Sequence, residues 1–258
     1  MSNTITIGIG CDADAGKVLR SAEETATAEL RIRCYCCPGA ADGLSAGPFV
    51  ELAVCPEPYR RIIDDLLAGT IDGAVRGTLP ANETLQYLKK ACCVERLERI
   101  ALLETVDHQQ FFLAPVGVDE GWTVQEKISL INDGRELARR LGLPEKTAVL
   151  SGGRLGDIGR HPIVDRTIAD AEEIAQRTGA IHGEILIEDA VKNCGVIIAP
   201  DGISGNLIFR TLTFLGHGIG HGASVVNISP VFVDSSRASG EYAGSLRLAA
   251  ALALDEKL

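Results

Sequence analysis

The chain has 258 residues, of which 46% are hydrophobic and 23% charged, so it can form a packed core and long disordered segments are not expected. The formal net charge of −10 argues against general nucleic-acid binding, and the longest apolar runs fall short of the ~20 residues that cross a bilayer. The amino terminus has no basic region before an apolar stretch, so we expect no signal peptide and a cytoplasmic protein.

The chain contains eight cysteines, and without a secretory signal we expect their thiols to be reduced. Cys34 and Cys37 form a CxxC motif, but a second pair at zinc-ribbon spacing is absent, because Cys92 and Cys93 are adjacent. Most of the cysteines lie in apolar segments, where the residue behaves as a small hydrophobe. We therefore expect buried thiols and no bound metal.

In chain order, short apolar segments alternate with amphipathic ones. In the first half the predicted strands are TITIGIG, LRIRCYC, FVELAV, TIDGAVRG, RIALLETV and QQFFLAPVG, and the predicted helices are AGKVLRSAEETATAE, EPYRRIIDDLLAG and NETLQYLKKACCV.

A long helix, TVQEKISLINDGRELARRLG, follows and opens with a capping box formed by Thr123 and Glu126. Beyond it the predicted strands are TAVLSGG, GVIIAP, SVVNIS and PVFVDSS, and the predicted helices are PIVDRTIADAEEIAQRTG, SGNLIFRTLTFLG and a terminal Ala/Leu-rich segment. This alternation predicts an α/β fold with mainly parallel sheets and crossover helices. Since such sheets bind ligands at the carboxyl ends of their strands, the turns after the strands are the places to search.

The first turn, GIGCDADAGK, half-resembles two phosphate-binding loops and satisfies neither. A dinucleotide fingerprint needs glycine where Ala13 stands. A Walker loop needs four residues between its glycines, whereas five separate Gly10 from Gly16, and Val18 follows the lysine in place of Ser or Thr. An ordinary strand–turn–helix is the better interpretation.

The second turn is LSGGRLGDIGRHP, residues 150–162, which is long and glycine-rich where a strand ends. Arginine side chains beside exposed backbone amides can bind an anion. The alternative is a surface loop with solvated arginines. The candidate phosphate- or CoA-binding residues here are Ser151, Gly152, Gly153, Arg154 and Arg160.

The third turn, APDGISGNLIFR, contains little side chain where a helix begins, and its candidate ligand-binding residues are Asp201, Gly205 and Asn206. We expect Ser204 to be the N-cap, which places Gly205 and Asn206 in the first helical turn. Amides in that turn have no helical partner and carry the positive end of the helix dipole. A phosphate could then approach the backbone at Gly205.

The fourth turn, FVDSSRASGEYAGS, brings Asp234, Ser236 and Arg237 together after a strand, with Ser239 as a candidate cap of the last helix. A hydroxyl beside a guanidinium can hold a phosphate or stabilise charge that develops during acyl transfer. The alternative is a capped turn with a surface arginine.

His217 and His221 in GHGIGHG are four residues apart, but the glycines between them disfavour a helix and no HExxH pattern is present. We expect them to be loop residues and not metal ligands.

Taken together, three of these turns resemble the phosphate acetyl/butyryltransferase superfamily. APDGISGNLIFRTLTFLG is similar to its Asp–x–x–x–Gly–Asn turn, TAVLSGGRLGDIGRHPIVDRTIADAEEIA to its Ser/Gly loop and following helix, and NISPVFVDSSRASGE to its Asp–x–Ser–Arg segment. Within the superfamily, the short length and the Cys-rich amino-terminal half most resemble MtxX, a methyltransferase-related family of methanogenic archaea.

The resemblance implies a two-lobed α/β fold like that of isocitrate and isopropylmalate dehydrogenases, a homodimer, and an active site in the cleft between the lobes. The first lobe would comprise residues 1–125 and 229–258, and the second residues 126–228. Family roles would make Ser236 the hydroxyl at the reacting carbonyl and Arg237 the phosphate anchor, beside Asp234. The implied ligand is a small phosphorylated or acyl-thioester molecule, with CoA or acyl-CoA as a substrate and no tightly bound cofactor.

One family residue is missing. In phosphotransacetylases an Asp six residues beyond the Arg deprotonates the CoA thiol, and Ala243 stands at that position. Glu241 is about 200° away on a helix of 3.6 residues per turn, so it is a poor substitute. Because loss of a general base costs roughly 10²–10⁴ in rate, two functions stay open. One is an acyltransferase that handles phosphate and a thioester, and the other is a non-catalytic or methyltransferase-associated binding protein of methanogenesis.

Overall fold

The computed structural model describes residues 4–12 and 14–255. Ala13, which replaces the third glycine of a dinucleotide fingerprint, lies outside the described residues. The chain divides into two compact units, one made of Met1–Leu97 with His221–Leu258 and the other of Glu98–Gly220. The division into lobes near residues 125 and 229 stays a prediction.

The elements follow one another in β–α alternation. The strands are β1 (Ile5–Cys11), β2 (Leu30–Cys36), β3 (Val50–Val54), β4 (Gly73–Val75), β5 (Arg99–Glu104), β6 (Gln110–Ala114), β7 (Thr147–Leu150), β8 (Ile181–Glu184), β9 (Val196–Ile198), β10 (Ile219–Val225) and β11 (Phe232–Asp234). The helices are α1 (Ala15–Thr25), α2 (Pro58–Leu67), α3 (Ala81–Ala91), α4 (Val124–Arg140), α5 (Pro162–Thr178), α6 (Ile187–Asn193), α7 (Gly202–Phe214) and α8 (Ala243–Asp255).

In the first unit the strands lie in the order β3, β2, β1, β4, β11, β10. The pairs of β1 with β2 and β4, of β2 with β3, and of β4 with β11 are parallel, and β10 runs antiparallel to β11. Both faces of β1 are buried, as expected for a strand covered by helices on each side. Helix α8, with Leu246, Ala249 and Ala253 buried, packs on β1 and β4.

In the second unit the order is β5, β6, β9, β7, β8, and every pair except the antiparallel β5–β6 is parallel. Helix α4 opens with the predicted capping box, in which Thr123 Oγ accepts from the Glu126 amide and Glu126 accepts from the Thr123 amide. The predicted α/β fold with mainly parallel pairing is confirmed. None of the helices formed by residues 4–12 and 14–255 has the length and apolarity that a membrane span requires.

Candidate functional site

The segment after β11 begins with a buried ion pair. Asp234 Oδ1 accepts a hydrogen bond from Arg76 Nε at 2.5 Å, and their side chains are only 13% and 6% exposed. The same guanidinium donates to the carbonyl oxygens of Leu79, at 2.7 Å, and of Ser235. Arg76 therefore ties the end of β4 to the start of the Ser–Arg loop, and Asp234 holds the position of that loop.

Ser236 and Arg237 follow this pair directly. Ser236 Oγ accepts from the Ala238 amide at 3.2 Å, which leaves its own hydroxyl hydrogen to donate elsewhere. Arg237 is exposed, and its guanidinium makes no hydrogen bond or ion pair with any residue that the structure describes. A serine hydroxyl and a guanidinium on one anchored loop can together bind an anion.

Tyr242 and Lys17 support the same loop from below. The Tyr242 hydroxyl donates to the Ser236 carbonyl at 3.2 Å, and burial raises the pKa of Tyr242 to about 12, so the phenol stays protonated. Lys17 Nζ donates to the Ser239 carbonyl at 2.9 Å and lies 5.4 Å from the centre of the Tyr242 ring. The first turn therefore contributes a lysine to this loop, although its sequence fits no phosphate-binding motif.

Helix α8 begins at Ala243, which is 3% exposed. The prediction that Ser239 caps this helix is wrong, because it lies four residues before the first helical residue. Glu241 also precedes the helix and is exposed, so the angle between it and position 243 that was calculated for a helix does not apply. No carboxylate replaces the family's base at Ala243 itself.

The Ser/Gly loop after β7 is more tightly bonded than a flexible surface loop. Ser151 is 1% exposed, and its Oγ lies 2.8 Å from the Gly153 carbonyl and 2.9 Å from His182 Nε2. The Gly152 amide donates to Thr167 Oγ1 at 2.8 Å. This hydroxyl and this amide are therefore engaged by the protein itself.

The two arginines of that loop differ in their surroundings. Asp157 accepts from the Arg154 backbone amide at 2.9 Å and from the Arg160 guanidinium at 2.5 Å, and these two bonds lower the pKa of Asp157. Arg160 is thus paired with a carboxylate that an incoming anion would have to displace. The Arg154 side chain is exposed.

The Gly–Asn turn corrects one expectation. Helix α7 starts at Gly202, and its N-cap is Asp201, whose Oδ1 accepts from the Ser204 amide at 2.8 Å. The prediction of Ser204 as N-cap is therefore wrong, since the carboxylate three residues earlier caps the helix. The Gly205 amide donates to the Asp201 carbonyl at 3.0 Å and is not free for an anion.

Close packing explains the small residues of this turn. A Cβ on Gly205 would lie 1.8 Å from the Pro115 carbonyl oxygen, and one on Gly202 would lie 1.6 Å from the Gly117 carbonyl oxygen. Asn206 Nδ2 donates to the Val116 carbonyl at 2.9 Å. The helix therefore rests directly on the backbone of residues 115–117, which only glycine permits at these positions.

Glu120 completes this packing from the same segment. Its carboxylate, 0% exposed, accepts from Arg99 Nε at 2.7 Å and from the amides of Arg99 and Gly117 at 3.2 Å. Burial raises the pKa of Glu120, and its bonds to Arg99 oppose that rise. The Gly202 amide donates to the Glu120 carbonyl at 3.1 Å, so a buried ion pair supports the start of α7.

The histidines of GHGIGHG do not share a loop. His221 lies inside β10, where its ring packs over Gly244, and His217 precedes the strand with a φ of 56°. Across the described part of the chain no group of three His, Cys, Asp or Glu side chains is arranged to hold a metal ion.

Arg76, Lys17, Tyr242 and His182 were not identified by sequence reasoning. Arg76 alone carried a usable signal, since it is a basic residue at the carboxyl end of the predicted strand TIDGAVRG. Lys17 and His182 bond to residues 222 and 31 positions away along the chain, whereas the Tyr242 hydroxyl bonds to Ser236, six positions away.

Among curated proteins, two similar relatives are named as the proposed methyltransferase mtx subunit X. The protein from Methanosarcina barkeri is 48% identical over 211 residues, which cover 80% of this chain and 78% of that protein. The one from Methanosarcina mazei is 50% identical over 211 residues, covering 80% and 75%. A protein from Methanocaldococcus jannaschii that bears the name uncharacterized methyltransferase is 38% identical over 200 residues, which cover 73% of this chain and 81% of that protein. No family model matches the chain.

Solved structures show the same fold at low sequence identity. A branched-chain phosphotransacylase from Enterococcus faecalis superimposes with a TM-score of 0.76 at 17% identity, over 97% of this chain and 99% of that one. A phosphotransacetylase from Streptococcus pyogenes gives 0.74 at 16%, over 99% and 95%. A 4-hydroxythreonine-4-phosphate dehydrogenase from Klebsiella pneumoniae gives 0.57 at 13%, over 97% and 100%. The fold is therefore that of phosphotransacylases, with dehydrogenases as more distant neighbours.

Proposed function

The chain belongs to the MtxX family, and from that membership and the loop after β11 we propose that it binds a phosphate or CoA-type ligand through Ser236 and Arg237. The observation that carries the proposal is the Arg237 guanidinium, which bonds to none of the described residues and lies next to a serine hydroxyl on a loop anchored by the Arg76–Asp234 pair. A rigidly held loop loses little conformational freedom when it binds an anion. The fold shared with phosphotransacylases supports a ligand of this class.

In the catalytic form of the proposal, the protein transfers an acyl group between a thioester and phosphate. A phosphate oxygen attacks the thioester carbonyl, the C–S bond breaks, and the thiolate leaves as the acyl phosphate forms. Arg237 would bind the phosphate, and the Ser236 hydroxyl would donate to the oxygen on which negative charge develops. A base at position 243 would take the thiol proton in the reverse direction, and alanine cannot do so.

The second candidate is a non-catalytic or methyltransferase-associated protein that binds a ligand or a partner in methanogenesis. Ala243 favours it, because the Ser–Arg pair matches the phosphotransacetylase pattern while position 243 has no carboxylate. The names of the relatives also connect the family to a methyltransferase. Under either form Ser151, Gly152, Gly153, Arg154, Arg160, Asp201 and Asn206 remain candidate contacts. Gly205 also remains a candidate contact because it has no side chain, although its amide is bonded to the Asp201 carbonyl.

The homodimer is also part of the proposal. Helix α7 carries apolar side chains that face solvent in this chain, with Ile203, Leu207 and Phe214 exposed by 48%, 60% and 39%. A second copy would cover such a stripe. Light scattering should give twice the chain mass of 27.3 kDa, and a monomeric mass would remove this part of the proposal.

Calorimetric titration with inorganic phosphate, CoA and acetyl-CoA tests the proposal. We expect binding of at least one of them, at least tenfold weaker in Arg237→Ala and unchanged in Arg31→Ala, which removes an exposed arginine of β2. Turnover of acetyl-CoA and phosphate in the wild type would support the acyltransferase. Binding without turnover of any acyl-CoA would support the second candidate, and binding of none of the three would overturn the proposed ligand class.

A further inference from the structure

Three buried thiols lie side by side at the carboxyl ends of β1 and β2. Cys11 on β1 and Cys36 on β2 are register partners in the parallel pair. Cys34 lies two residues before Cys36, on the same face of β2, and is the register partner of Ile9. Cys11, Cys34 and Cys36 are each at most 2% exposed. None of these three cysteines belongs to the ligand site proposed above.

The register of Cys11 and Cys36 brings their backbones to a spacing that a disulfide can span. Directly opposed residues of neighbouring strands have backbones roughly 4.8 Å apart, and disulfides span Cα separations of roughly 4.4–6.8 Å. Cys36 Sγ donates to the Cys34 carbonyl oxygen at 3.6 Å. Both thiols therefore lie buried at paired positions of adjacent strands.

The two thiols are not equivalent. The hydrogen bond from Cys11 lowers the pKa of Cys36 and raises the pKa of Cys11. Cys36 is therefore the more readily ionised thiol of the pair, and the thiolate is the form that reacts with oxidants. By contrast, Cys194 is buried in the other unit, and burial raises the pKa of its thiol.

We propose that Cys11 and Cys36 form a reversible dithiol–disulfide site that is oxidised by hydrogen peroxide. The Cys36 thiolate attacks the peroxide, which breaks the O–O bond, gives the sulfenic acid and releases hydroxide, which takes up a proton to form water. The Cys11 sulfur then attacks the Cys36 sulfur, and a second water leaves as the S–S bond forms. In sum, two thiols are oxidised by two electrons, one peroxide is reduced to two waters, and a thiol reductant restores the pair. Peroxide suits so buried a site because it has only two heavy atoms.

The test is oxidation of the folded protein with one equivalent of hydrogen peroxide, followed by alkylation of the remaining thiols and fragmentation mass spectrometry without reduction. We expect a loss of two of the eight free thiols, a Cys11–Cys36 linkage, and full recovery with dithiothreitol. Cys194→Ser should behave like the wild type, whereas Cys36→Ser should form no disulfide to Cys11.

Three results would overturn the proposal. They are a linkage that joins other cysteines, such as Cys37 with Cys55, oxidation to sulfinic or sulfonic acid without any disulfide, and eight free thiols after treatment. Mass-spectrometric mapping of the wild-type protein detects each of these three results even if Cys36→Ser fails to fold.

Discussion

Replacing Gly205 with alanine tests whether close packing against Pro115 is the reason for a glycine in the Gly–Asn turn. If the residue only needed to form a helix, alanine would stabilise α7 by about 1 kcal/mol. In the structure its Cβ would meet the Pro115 carbonyl oxygen at 1.8 Å, so helix and loop must separate by more than an ångström. Overpacking of this kind costs roughly 1–3 kcal/mol.

The separation would also break the 2.9 Å bond from Asn206 to the Val116 carbonyl, at a cost of about 1 kcal/mol. Offsetting this against the gain in helix propensity leaves a net loss of about 1–3 kcal/mol in the free energy of unfolding. Urea unfolding followed by circular dichroism measures it. Gly156→Ala is the matched control, because a Cβ there meets nothing within 4 Å, and its effect should stay within about 0.5 kcal/mol. A Gly205→Ala protein as stable as the wild type, or more stable, would refute the packing argument.

Three further predictions concern the buried charges and the missing base. Arg76→Met should lower the free energy of unfolding by about 3 kcal/mol, because it removes the guanidinium that pairs with the buried Asp234 carboxylate, and an unchanged urea midpoint would contradict this. Burial, with Glu98 nearby, raises the pKa of Asp133 to about 6, so its contribution to stability is present below its unfolded pKa and is lost as the pH rises through 6. We therefore expect the free energy of unfolding of Asp133→Asn, relative to that of the wild type, to be higher at pH 8 than at pH 4 by on the order of 1 kcal/mol. Urea unfolding at both pH values measures it, and the same difference between variant and wild type at the two values would count against it. Ala243→Asp restores a carboxylate in the first turn of α8, where the helix dipole favours it. It should raise the release of CoA from acetyl-CoA and phosphate at least tenfold if the protein is an acyltransferase, and no change would favour the binding protein.

Much of the fold could be predicted because its signals are local. The β–α alternation and the capping box at Thr123 and Glu126 both depend on residues within a few positions of one another. Strand β8 and helix α6 were missed. Both are short, and β8 has no fully buried residue, so neither produces a clear hydrophobic period.

The candidate site was predicted less completely because its contacts are distant in sequence. Asp234 was identified as a site residue, but its partner Arg76 is 158 positions away, and nothing local distinguishes an ion-paired aspartate from a free one. Gly205 was identified as a position that needs no side chain. The reason lies in Pro115, 90 positions away, and a turn that packs on backbone has the same local sequence as one that binds an anion.

Hydrogen-exchange mass spectrometry with and without CoA, under saturating ligand, tests the central proposal most directly, because it reports where the ligand binds. We predict slower exchange of the amides in residues 234–242, which include Ser236 and Arg237, and loss of that protection in Arg237→Ala. Protection confined to other segments, or equal in the wild type and the variant, would contradict the assignment of this loop as the ligand site.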